Sequence, residues 1–73
     1  MAIIKSLIHD SSKKVPRQTE TAADYNSDGE YFSIWSYRNG DIRRNGNCPQ
    51  NMQFDKEMAI TLRDALNRFI QGV

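Results

Sequence analysis

The sequence predicts an α+β domain, an antiparallel sheet of four to five strands with one C-terminal helix packed on one face. Three observations carry that expectation. Met58, Ala59, Leu62, Leu66, Phe69 and Val73 recur at three- and four-residue steps, which makes one apolar helical stripe. Residues 30–37 are dense in aromatic and β-branched side chains. Clusters of Asn, Asp, Ser, Gly and Pro punctuate the chain between such runs.

Taken in order, residues 2–9 read as a first strand. Ala2, Ile4 and Ile8 share one parity while Ile3 and Leu7 share the other, so this strand is either covered on both sides or free to slide in register. Residues 10–16 are a polar loop, and residues 18–25 are a second strand. Asn26-Ser27-Asp28-Gly29 is turn chemistry before the third strand, 30–37. Arg38-Asn39-Gly40-Asp41 then signals a hairpin, with 41–45 as the returning strand. Asn45-Gly46-Asn47-Cys48-Pro49 is a further connector, leading to a short strand over 50–54. Asp55 suits a helix N-cap, Glu57 sits where the macrodipole favours negative charge, and Gly72 ends a helix over about 56–71. Asp64 and Arg68 are spaced to pair, and Ile60 stands off the apolar stripe, where it is free to meet a partner.

Seventy-three residues make one domain of modest core. Domains of this size lean on disulfides, metals or partner chains. One cysteine, Cys48, excludes an internal disulfide, and one histidine, His9, leaves too few ligands for a Cys/His zinc site. A homodimer is therefore expected, with no cofactor. The apolar start of the chain is too short to span a bilayer and lacks the pattern of a signal peptide. With the lone cysteine, this points to a cytoplasmic protein.

Net charge is +1. That argues against both a strongly basic nucleic-acid binder and an acidic mimic of DNA. The charge is nonetheless segmented. Lys5, Lys13, Lys14 and Arg17 make the start basic, Glu20, Asp24, Asp28 and Glu30 make the next stretch acidic, and Arg38, Arg43 and Arg44 follow. Separated in space, such segments still give a basic face.

Nothing signals catalysis. His9 stands alone near a loop, Cys48 has no evident activating base, and there is no glycine-rich phosphate loop or calcium-loop spacing. The chain reads as a non-enzyme. Alternation over 30–37 places Phe32, Ile34 and Ser36 on one face and Tyr31, Ser33, Trp35 and Tyr37 on the other. If the helix covers the first face, the aromatics line the second, where they are either buried by the N-terminal strand or a dimer, or free to bind. As a binding surface, Tyr31, Trp35, Tyr37, Arg38, Arg43 and Arg44 are the candidate residues. Two partners suit them. Trp, Tyr and Arg are the residues on which protein interfaces rest. Aromatics also stack unpaired bases while Arg38, Arg43, Arg44, Lys13, Lys14 and Arg17 take phosphates. On a strand, adjacent Arg43 and Arg44 point to opposite faces, so only one joins the aromatics. The position of the acidic run decides between partners, because a carboxylate beside the aromatic face repels phosphate.

Two resemblances bear on this. Trp35-Ser36-Tyr37-Arg38-Asn39-Gly40-Asp41-Ile42-Arg43-Arg44, then Gln50-Asn51-Met52-Gln53-Phe54-Asp55-Lys56-Glu57-Met58-Ala59 and Leu62, resemble a kind of small uncharacterised bacterial or phage protein. The resemblance covers over half the chain and its residues are not tied to a known activity; the expectation beside them is a small phage- or mobile-element-type protein that regulates or inhibits a host protein. The order of strands then helix is also similar to PC4-like single-stranded-DNA-binding domains, which implies a dimer whose sheet binds through residues such as Trp35, Tyr37 and Arg43 or Arg44. The lysine-glycine element usual before the last strand of such domains is replaced here by Gly46-Asn47-Cys48-Pro49. The protein-binding reading comes first, with single-stranded nucleic acid as the alternative.

Overall fold

A computed structural model describes residues 1–46 and 50–72. Asn47, Cys48, Pro49 and Val73, which enter the sequence reading, lie outside these. Four strands and one helix are present: β1 (Ala2–Ile4), β2 (Ala23–Ser27), β3 (Phe32–Ser36), β4 (Gln50–Phe54) and α1 (Lys56–Gln71). The sheet order is β1-β4-β3-β2. β2, β3 and β4 are antiparallel neighbours, but β1 runs parallel to β4. The sheet is thus mixed, where the sequence predicts an antiparallel one.

The differences have local causes. β2 and β3 form a hairpin closed by the two-residue loop Gly29-Glu30, with the Asp28 N–H donating to the Tyr31 carbonyl at 3.1 Å. Asp28 Oδ1 accepts the N–H groups of Glu30 and Tyr31 at 2.7 and 2.8 Å, an Asx turn. That turn sets the register, so the second strand occupies 23–27 instead of 18–25. β1 stops at Ile4 because its partner stops at Phe54, opposite it, and the chain there turns into the helix. Leu7 and Ile8, expected within the strand, are exposed.

No strand forms over 41–45. Both sides of β3 are already taken, by β2 and β4, so a hairpin return has no place beside it. The 38–41 turn does form, with Asp41 N–H donating to Arg38 O at 2.9 Å and Gly40 at φ 85. Its outer side binds residues 20–22 instead: Gly40 N–H donates to Glu20 O at 2.7 Å, Ala22 N–H to Asp41 O at 3.2 Å, and Thr21 Oγ1 to Arg38 O at 2.8 Å. The Asp41 carboxylate then curls the chain by accepting the N–H groups of Asn45 and Gly46 at 3.0 and 2.6 Å. Gly46 allows this approach, since a Cβ there would lie 2.9 Å from Asp41 Oδ2.

The helix keeps its expected bounds. Asp55 is extended at φ −75 and ψ 179, and its Oδ1 accepts the Met58 N–H at 2.9 Å. Gly72, left-handed at φ 80, closes the other end by donating to Arg68 O and Phe69 O. Asp64 pairs with Arg63 at 3.1 Å rather than with Arg68. Contact with the sheet is confined to the first two turns, where Met58, Ala59, Thr61 and Leu62 are half-buried. From Arg63 to the end the described helix is exposed all round. Among the described residues Phe54 is the one buried apolar side chain, opposite Phe32, which in turn stacks on Tyr25 with ring centroids 5.6 Å apart.

Replacing Asp55 by Ala is expected to lower stability by about 1 kcal/mol, the usual worth of a carboxylate cap. Asp55→Asn should retain most of it. Urea unfolding followed by far-UV circular dichroism checks both, and equal losses for the two variants would rule out capping as the cause.

Candidate functional site

Cross-strand register decides which side chains share a face. Ser33 stands opposite Gln53 and Asn26, and Trp35 opposite Asn51 and Asp24. The ladder continues past β3 with Tyr37 N–H donating to Ala22 O at 3.0 Å, which carries Tyr37 onto the Trp35 side. Tyr31, Ser33, Trp35 and Tyr37 therefore share one side of the sheet, as the alternation predicts. Phe32, Ile34, Met52, Phe54 and Tyr25 share the other. The N-terminal strand does not cover the aromatics, because it lies in the sheet itself, at its edge beyond β4.

The three aromatics are half-buried, and Ser33 between them is buried. Tyr31, Ser33 and Trp35 form one cleft with Asn26, Ser27 and Asp28. Its floor is a small hydroxyl, its walls are two aromatic rings, and its rim on the β2 side is amide and carboxylate.

Asp24 organises the other end of this face. Tyr37 Oη donates to Asp24 Oδ2 at 2.7 Å, and Arg44 Nε sits 3.2 Å from Oδ1. Arg44 reaches it from a left-handed backbone at φ 62, a conformation that costs a non-glycine residue about 1 kcal/mol or more. Since 41–45 is not a strand, strand parity no longer governs the two arginines. Arg44 joins the aromatic face through Asp24, while Arg43 stands exposed in the turn. Arg38 is exposed on the 38–41 turn, beside Asn39, Gly40, Asp41, Asn45 and Gly46. Lys13, Lys14 and Arg17 are exposed in the long 5–22 segment.

Sequence reasoning missed Asp24, Asn26 and Asp28 as members of this face. The signal was present: a two-residue loop closed by Asp28 and Tyr31 puts Asp24 across from Trp35 by counting alone. Among the described residues no buried side-chain nitrogen or oxygen lacks a hydrogen-bond partner. None of them form a group of three or more metal-ligating side chains. No helix among them is long and apolar enough to cross a membrane. Compared with protein-family models, with curated proteins and with solved structures, the chain matches none.

Hydrogen bonding to the ionised form holds two turn carboxylates below the ordinary aspartate value of 3.8. For Asp28 the cause is chiefly the Tyr31 N–H and then that of Glu30, and for Asp41 chiefly the Asn45 N–H. The contribution of each is complete above 3.8 and is lost as pH falls through the depressed folded value. The N–H groups of Asn45 and Gly46 should therefore stay protected from exchange through the ordinary aspartate range and lose protection only as pH falls through the depressed value. Asp41→Asn should remove that acid step, and an unchanged step in the variant would exclude Asp41 as its source.

Removing the Tyr37 hydroxyl should cost about 1 kcal/mol, since its acceptor is a half-buried carboxylate. Arg44→Ala should cost less, because both partners of that pair are substantially exposed. Arg44→Gly should be milder still, because glycine takes the left-handed backbone without strain. Urea midpoints of Tyr37→Phe, Arg44→Ala and Arg44→Gly rank the three, and the reverse order would contradict this account.

Proposed function

We propose that this is a small non-enzymatic binding protein acting through protein–protein contact at the aromatic side of its sheet, as a regulator or inhibitor of its partner. The observation that carries the reading is the placement of Asp24 on that side, opposite Trp35 and bound by Tyr37 and Arg44. A carboxylate there, with Asp28 at the rim of the cleft, opposes a phosphate backbone. It also holds Arg44 as an internal partner. A basic or hydrogen-bond-donating protein segment meets no such opposition. Its aliphatic stem suits the Tyr31 and Trp35 walls, and its head suits Asp24, Asn26 and Asp28.

The phage or mobile-element part of the reading rests on the resemblance running from Trp35 to Leu62. Single-stranded nucleic acid is the alternative, and one experiment separates the two. Trp35 emission is titrated with a short lysine- and arginine-bearing peptide and, separately, with a single-stranded oligonucleotide at low and moderate salt. The expected result is a response to the peptide that weakens in Asp24→Asn, with no salt-dependent quenching by the oligonucleotide. Quenching by the oligonucleotide that fades as salt rises would replace this reading with the nucleic-acid one. Silence to both in a folded sample would remove the aromatic face as the binding surface.

A further inference from the structure

The opposite side of the sheet poses a separate question, independent of what the aromatic face binds. The apolar stripe of α1 is continuous in sequence, but the fold uses only its first half. Met58, Ala59 and Leu62 are half-buried, whereas Leu66, Phe69 and Ile70 remain 49, 79 and 75% exposed. A helix of 16 residues is about 24 Å long, so roughly half that length carries apolar side chains with nothing against them. The sheet face bearing Phe54 is open in the same way. Met52 and Tyr25 on it are 43 and 75% exposed, with half-buried Ile34 between them on β3.

The size of the exposed surface says how much is left uncovered. A folded monomer of 8.4 kDa is expected to expose about 4,600 Å². This chain exposes 6581 Å². Its radius of gyration is 13.7 Å, against about 11 Å for a compact chain of this length. Part of the excess is the exposed 5–22 segment, but an interface of standard size needs only about 800 Å² from each partner. Among the described residues one buried apolar side chain is also too small a core to offset the ordering of a chain this long.

We propose that a second copy of this chain covers this face, with the projecting half of each helix lying across the exposed sheet face of the other copy. Each copy carries both halves of the contact, the Leu66/Phe69/Ile70 stripe and the Tyr25/Ile34/Met52 patch, so a two-fold axis satisfies both at once. Net charge of +1 leaves little repulsion between identical chains. The aromatic side faces away and stays available to another partner.

Sedimentation equilibrium from about 1 to about 100 µM is expected to return twice the 8.4 kDa chain mass at the upper concentrations, with an unfolding midpoint that rises with concentration. Phe69→Glu combined with Ile70→Glu should return a single-chain mass over the whole range. Because those variants can unfold if folding and association are coupled, the wild-type chain gives a second reading. In a sample mixing isotope-labelled and unlabelled chains, filtered nuclear Overhauser effects should connect the Phe69 ring with Met52 and Tyr25 of the other copy. A folded wild-type chain of single mass at about 100 µM overturns the proposal. Between-chain contacts found at Trp35 or Tyr37 instead of Met52 overturn it as well.

Discussion

The corner between β4 and α1 holds the rest of the structure in place. Phe54 ends the strand as the one buried apolar side chain among the described residues, and Asp55 starts the helix by capping it. The same two residues anchor the N-terminus: Ile4 pairs beside Phe54, and Lys5 Nζ lies 3.8 Å from Asp55 Oδ2. Phe32 stands across from Phe54 and brings Tyr25 with it through ring stacking. Every element thus reaches this corner directly or through one neighbour. The Lys5 pair is largely exposed and contributes little, so burial of Phe54 and the cap carry the corner.

The parts legible in the sequence were those governed by short-range rules. The helix bounds follow from Asp55, the apolar spacing and Gly72, all of which act within one turn of where they stand. The two faces of β3 follow from alternation. What could not be read was pairing. Nothing local in Ala2-Ile3-Ile4 states that its partner is the last strand, or that the two run parallel. The 38–41 turn forms where its residues predict it, but it leads to no hairpin, because the strand after it would need an edge of β3 that β4 occupies. The candidate site was legible in proportion. Tyr31, Trp35 and Tyr37 came together because they lie on one strand. Asp24 and Arg44 joined them through a register and an irregular loop that composition does not specify.

The sheet separates two kinds of surface by a single layer of backbone. One side sets aromatic rings among amides, hydroxyls and carboxylates, of which Asp24 is held by Tyr37 and Arg44. The other carries Phe32, Ile34, Met52 and Phe54, with Ala59 of the helix beside Phe32 and Phe54 and Met52 left exposed. A period of two residues keeps the two chemistries apart, so a slip of one position in β3 would exchange them.

The parallel pairing of β1 with β4 also has a consequence in time. Ala2 meets Met52 and Ile4 meets Phe54, contacts between opposite ends of the chain. Such contacts raise the contact order and place the closing step of the sheet late in folding. On the ribosome, residues 2–4 have no strand to join until residues 52–54 have been made. Throughout that interval Ala2-Ile3-Ile4 is a short apolar strand with both hydrogen-bonding edges bare, open to pairing with other chains. The strand is three residues long, which leaves little edge to template such pairing while it waits.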